Sequence, residues 1–366
     1  MEPNTEALLE GDAAAAADAE AAAERDQVSL GSRLRQPKTI LSIVVPLILL
    51  ALAFQVVLKV RLEDVVSGVS KANPLLLLGA FLIFYAGFPL RGLRWGRILR
   101  GTGLRIGVRD STEILFLSWL VNCLVPAKLG DVYRAYLLKI NSPVSLSRTF
   151  GTVFIERLLD LFAIAILGLG AGFWSFRNGF PPEIQFVAAL GVAVVVVLAV
   201  LLLTMRNFGR QILTKLPVPH RFVELYDRFE EGVFGAVGVR QLPPLALLTV
   251  CIWATEGLRL WFVVQALGFP EANLGISGAF FVALIGSLLT AVPLSPAGLG
   301  LVEAGMVGVL VAAYRLPLTE ATTIAVVDRV ISVFSIIVFG AIVYAVSGKR
   351  RGAGLRAASA EGPAAA

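Results

Sequence analysis

The chain has 366 residues, 57% of them hydrophobic and 16% charged, with a mean hydropathy of +0.80. These values exclude a soluble globular domain and indicate an all-α polytopic membrane protein. One histidine, two cysteines in apolar runs and no Gly-rich Lys-Ser/Thr loop give no basis for zinc, a disulfide framework or direct ATP chemistry, so no cofactor, metal or nucleic acid is expected.

In chain order, residues 1–38 read as an acidic, Ala-rich, disordered tail. Residues 1–26 carry eight acids against Arg25, a net of −7, which leaves the rest of the chain at +13 within a total of +6. The transmembrane region is expected over 39–347. A first span is expected at Thr39–Leu58 and a second at Pro74–Leu90, followed by six arginines from Arg91 to Arg109. Ile114–Val125 is too short to span and is followed by the basic stretch Lys128–Lys139, so the two read as a re-entrant hairpin. Thr152–Trp174 and Ile184–Met205 read as spans, Arg206–Arg240 as a polar surface stretch, and Pro243–Leu267 as a span. Ile276–Leu294 and Leu299–Ala313 read as a second hairpin, and Thr322–Val346 as the last span. Residues 348–366 form a basic, Ala-rich tail. The arginine-rich loops place both termini in the cytoplasm, in the inner (plasma) membrane.

The motif at the first hairpin, Pro126-Ala-Lys-Leu-Gly-Asp-Val-Tyr-Arg-Ala135, returns as Pro296-Ala-Gly-Leu-Gly-Leu-Val-Glu-Ala-Gly305, five of ten positions being identical at an offset of 170. Arg91-Gly-Leu-Arg94 echoes Glu256-Gly-Leu-Arg259 at an offset of 165, and residues 154–164 echo 326–336 at 172. Two units follow, at about 74–174 and 243–346, each reading span, re-entrant hairpin, span. An odd number of crossings separates them, so the repeat is inverted, with six crossings plus two hairpins in all. The two Pro/Gly tips then approach the midplane from opposite sides, the usual pointer to a transport site.

A broken helix at membrane depth leaves backbone groups that need protein, water or a ligand. Its helix N-termini favour anions. This makes Pro126, Gly130, Pro296 and Gly300 candidates, against the plainer reading that they only kink helices or permit close packing. The intramembrane charges Asp131, Arg134, Glu156, Arg157, Asp160, Glu256, Arg259, Glu303, Asp328 and Arg329 are costly and should be paired and face inward, Glu256 and Arg259 sharing a helix face at i,i+3. Arg134, Glu156, Arg157, Glu303, Asp328 and Arg329 are candidates to line a polar path, against structural ion pairing between the units. Arg94 and its counterpart Arg259 suit a phosphate, which a guanidinium grips as a fork. Asn122 is a further candidate.

At these residues the chain resembles the transmembrane flippase-like domain of lysylphosphatidylglycerol synthases and their stand-alone relatives. The likeness runs through Arg91-Gly-Leu-Arg-Trp95, Asn122 with Pro126–Arg134, Glu156-Arg-Leu-Leu-Asp160, Pro293 with Pro296–Glu303, and Asp328-Arg329, in order over about 40–347. Asp131 stands where that family often has Glu, Lys128 where Arg is frequent, and Ala297 where Gly is usual. The resemblance implies a lipid-translocating domain without synthase activity, since no aminoacyltransferase domain follows residue 347. Translocation of a polar, phosphate-bearing lipid or lipid-linked precursor is therefore expected, with a membrane lipid headgroup as partner. The alternative is an intramembrane enzyme, or an accessory subunit of one, acting on polyprenyl-linked sugars.

Overall fold

The computed structural model describes residues 62–125, 127–177, 238–291 and 295–352, with isolated positions between 179 and 233 and at 354–355. The expected span at 39–58, most of 184–240, Pro126 and the tails at 1–38 and 356–366 lie outside the described residues. Among those described, the chain is all-helical. The helices are α1 (Leu62–Ser70), α2 (Pro74–Gly101), α3 (Val108–Leu124), α4 (Leu129–Asn141), α5 (Leu146–Ser175), α6 (Leu242–Leu267), α7 (Gly275–Leu289), α8 (Leu301–Ala312), α9 (Leu318–Arg329) and α10 (Ser335–Val346). A π-helical stretch, Val330–Phe334, joins the last two into one rod.

Local chemistry sets the boundaries. Asn73 caps α2 by accepting from Leu75 N at 3.0 Å, and Pro74 occupies the first turn, where a missing N–H costs nothing. Ser145 caps α5 through Arg148 N at 3.1 Å. Gly268, left-handed at φ 61°, ends α6. Helix α2 runs eleven residues beyond the expected Leu90, through the arginines to Gly101. Arginine is a good helix former, no proline lies between Pro89 and Gly101, and Gly92 and Gly96 pack closely on the stretch 106–112. Helix α1, which the sequence pattern did not announce, packs its Gly68 face against Thr323 of α9.

Three helical stretches among the described residues are long and apolar enough to cross a membrane: Pro74–Gly101, Leu242–Leu267 and Leu318–Val346. Helix α5, 30 residues long, carries Glu156, Arg157 and Asp160 in its middle. The packing follows a repeating plan. Helices α2 and α6 pack most extensively on each other. Helix α2 lies on α3 as α6 lies on α7, and α4 lies on α5 as α8 lies on α9. Each of α3 and α7 also packs on the closing helix of the other half, α3 on α10 and α7 on α5. The largest apolar core, built on Phe84, Leu260, Val282 and Ile336, sits between the halves. A second core surrounds Trp95.

Candidate functional site

The two helix breaks begin with matching backbones. At the first, Ala127 and Lys128 are left-handed at φ 61° and 52°. At the second, Ala297 and Gly298 are left-handed at φ 50° and 71°, at the same offset of 170. The first tip is tied to α3: Asn122 Oδ1 accepts from Gly130 N at 2.8 Å, and Ser118 Oγ donates to Gly130 O at 2.7 Å. The second is tied to α9 by Arg329, which donates to Ala297 O and to Glu303 Oε1 at 2.7 Å, while Glu303 reaches back to Gly300 N.

Around the tips run two chains of buried ion pairs. In the first half, Arg94 donates to both oxygens of Asp160 (2.6 and 3.1 Å) and to Thr249 Oγ1 (3.0 Å), and lies 3.3 Å from Glu156. Arg134 donates to Glu156 at 3.0 Å and covers the Trp95 ring at 5.0 Å. Arg157 grips Asp131 with two hydrogen bonds, at 2.6 and 2.9 Å. In the second half, Arg259 grips Asp328 at 2.8 and 3.1 Å and also pairs with Glu256. Arg91 crosses from α2 to Glu256 at 2.6 Å. The pairs keep the sequence offsets: Arg94 with Glu156 in one half corresponds to Arg259 with Asp328 in the other. Arg91 and Glu256 are each other's counterparts in the repeat, and they meet where α2 and α6 pack.

Between the tips lies a cavity of about 310 Å³. Asn122, Arg157, Arg259, Asp328 and Arg329, all singled out in the sequence, line it. Arg94, Arg134 and Glu156 do not: their relative exposures are 1%, 0% and 2%, and they form a buried brace behind the wall. Gly130 faces α3, where a Cβ would lie 2.0 Å from Ser118 O. Pro296 and Gly300 flank the lining residues Ala297 and Gly298, and Glu303 stands behind Arg329. Pro126 is outside the described residues.

Further wall residues are ones that the sequence named only as intramembrane charges or not at all. Asp131, Asp160 and Glu256 bring carboxylates, Trp119 and Trp253 bring indoles, and Ser287, Thr290 and Ser332 bring hydroxyls. Trp253 Nε1 donates to Asp160 at 3.1 Å. Its position three residues before Glu256, on the same helix face, was the available signal. Lys128 also lines the cavity. Its signal was a charge at the motif position where the second copy has Gly298. The wall thus carries four cations and four carboxylates among the described residues. Cys123, buried in the core, also reaches it, and neither cysteine is in a disulfide.

Comparison with known proteins places this architecture. Residues 39–340 match the family described as the lysylphosphatidylglycerol synthase TM region. Over 226 residues the chain is 39% identical to the UPF0104 membrane protein MJ1078 of Methanocaldococcus jannaschii, an alignment covering 61% of this chain and 92% of that one. A UPF0104 membrane protein of Methanothermobacter thermautotrophicus is 28% identical over 298 residues, 76% of this chain and 85% of that one. The glycosyltransferase AglD of Haloferax volcanii is 28% identical over 326 residues, 79% of this chain but 52% of AglD, so the alignment spans about half of that enzyme.

Proposed function

The chain belongs to the lysylphosphatidylglycerol synthase TM-region family of membrane proteins, and from this premise we propose that it moves a polar, phosphate-bearing lipid or lipid-linked precursor between leaflets. The observation that carries the proposal is the cavity between the two helix breaks, walled by basic and acidic side chains from both halves beside the largest apolar core. Charges at bilayer depth are costly, and a polar cavity there serves a polar cargo. The repeated left-handed tips fit a pair of re-entrant hairpins in an inverted repeat of six crossings, with both termini in the cytoplasm and the protein in the plasma membrane. The 39–347 region would be the translocating unit, and the residues before and after it cytoplasmic tails. The cargo headgroup meets the wall at Asn122, Arg157, Arg259, Asp328 and Arg329. Arg94, Arg134 and Glu156 hold the wall in place, and Glu303 with the Pro296–Gly300 turn sets the second tip.

A second reading is an intramembrane enzyme or accessory subunit acting on polyprenyl-linked sugars. The similarity to AglD, a glycosyltransferase by name, favours it, as does Trp253 bonded to Asp160 on the cavity wall. Purified protein in liposomes separates the two. Leaflet exchange of a fluorescent lipid with no new product supports translocation. A new lipid product without exchange supports the enzyme.

A further inference from the structure

We propose that Lys128 is the anion-binding residue of the cavity, and that the headgroup it takes carries a single negative charge, as a phosphodiester does. The proposal deepens the translocation reading but is a claim about binding in its own right. It starts from which wall charges are already matched. Arg157 holds Asp131 with two nitrogens and lies 3.7 Å from Asp160. Arg259 is shared between Asp328 and Glu256, and Arg329 is bound by Glu303 and a backbone carbonyl. Each of these arginines is committed to a carboxylate. The Lys128 side chain alone among the cavity-lining cations makes no hydrogen bond or ion pair to a described residue, and the carboxylates that act on it electrostatically, Asp131 and Asp160, are each held by an arginine. An ammonium group at a mostly apolar wall is poorly solvated, and an arriving anion relieves this.

The backbone points the same way. Lys128 is held at φ 52°, a conformation that favours glycine, and its counterpart in the second half is Gly298. Such strain persists where the surroundings enforce it, and it gathers at ligand clamps. The same turn therefore presents an ammonium at one tip and no side chain at the other, so the anion position is at one end of the cavity. One unmatched cation suits one negative charge. A phosphomonoester or pyrophosphate brings more charge than the wall can answer without breaking an existing pair. From the second half, Ser287, Thr290 and Ser332 offer uncharged polar contacts for the rest of the headgroup.

The test uses the full-length protein, with lipid retention in detergent read by native mass spectrometry and leaflet exchange read in liposomes. The probes are phosphatidylglycerol, a singly charged diester, and phosphatidic acid, a monoester carrying about −1.5 to −2 near pH 7. Wild type is expected to retain and exchange phosphatidylglycerol in preference to phosphatidic acid. Lys128→Gln should lower both phosphatidylglycerol readouts about tenfold, the loss of one charge-assisted contact. Lys128→Arg should keep most of both, and Lys139→Gln, at an exposed position on α4, should change neither. Should Lys128→Gln fail to accumulate, the wild-type preference and Lys128→Arg carry the test. Unchanged phosphatidylglycerol retention in folded Lys128→Gln, absence of retention in wild type, or a preference for phosphatidic acid overturns the assignment. Lys128-dependent retention with no exchange upholds the binding site and removes translocation instead.

Discussion

The first tip, Ala127–Gly130, and the second, Ala297–Gly300, share a left-handed pair of residues yet are anchored by different means. The first leans on α3 through neutral partners, Asn122 and Ser118. The second is clamped from α9 by a guanidinium and a carboxylate, Arg329 and Glu303. The glycines that close the two tips differ as well. Gly130 lies inside α4 with no room for a Cβ, whereas Gly300 sits at φ 88° in open space. What repeats is the left-handed pair, and what diverges is the backbone that follows it and the side-chain chemistry around it.

The ion-pair chains carry the same contrast, and breaking them should give the largest effect. Arg134 is fully buried, and its carboxylate partner is Glu156, which Arg94 also uses. Removing that carboxylate strands a buried guanidinium, at a cost of about 3–5 kcal/mol. In the second half, Arg259 keeps Glu256 when Asp328 is lost, so the cost there is nearer about 1.5–3 kcal/mol. Glu156→Ala should therefore lower membrane abundance and the melting temperature in detergent more than Asp328→Ala. Equal losses would mean that the halves are braced alike.

The glycines sharpen the contrast at the next level. In Gly130→Ala the new methyl meets the backbone oxygen of Ser118, and the hairpin must open, at about 1–3 kcal/mol or more. Gly300→Ala meets no atom and pays only for its left-handed backbone, about 1–2 kcal/mol. Thermal melts of the two variants should rank in that order, and the reverse order would show that the first tip is not packed as described. The smallest effect is shared. Ala127→Gly and Ala297→Gly each relieve a left-handed alanine and should raise stability by at most about 1 kcal/mol, since glycine also loosens the unfolded chain. A rise at only one site would mean that the two turns are not equivalent.

Much of this plan was legible in the sequence because duplication leaves backbone demands in place. Glycine recurs at 130 and 300 because the first has no room for a Cβ and the second has a positive φ. The charged residues were legible as a set, since a membrane tolerates them only when paired. Their pairing was not. Glu256 looked like the partner of Arg259 at i,i+3, and only the packing of α2 on α6 brings Arg91 to it as well. Arg94 and Arg259 looked alike at the level of the motif. Asp160 and Thr249 enclose the first, while the second reaches the cavity wall, a difference set by helix contacts distant in sequence. Lys128 was passed over because a lysine in a basic stretch resembles any surface charge until its surroundings are known.

The central claim is that cargo crosses through the space between the tips, and filling that space tests it most directly. Ala291 lines the cavity at the end of α7 and is partly exposed to it, so Ala291→Trp should occupy the space with little effect on helix packing. In liposomes, the wild-type protein should accelerate leaflet exchange of fluorescent phosphatidylglycerol over protein-free vesicles. Ala291→Trp, matched for incorporation and melting temperature, should return exchange to the protein-free rate. Full exchange by a folded Ala291→Trp protein, or no acceleration by wild type, would contradict the account.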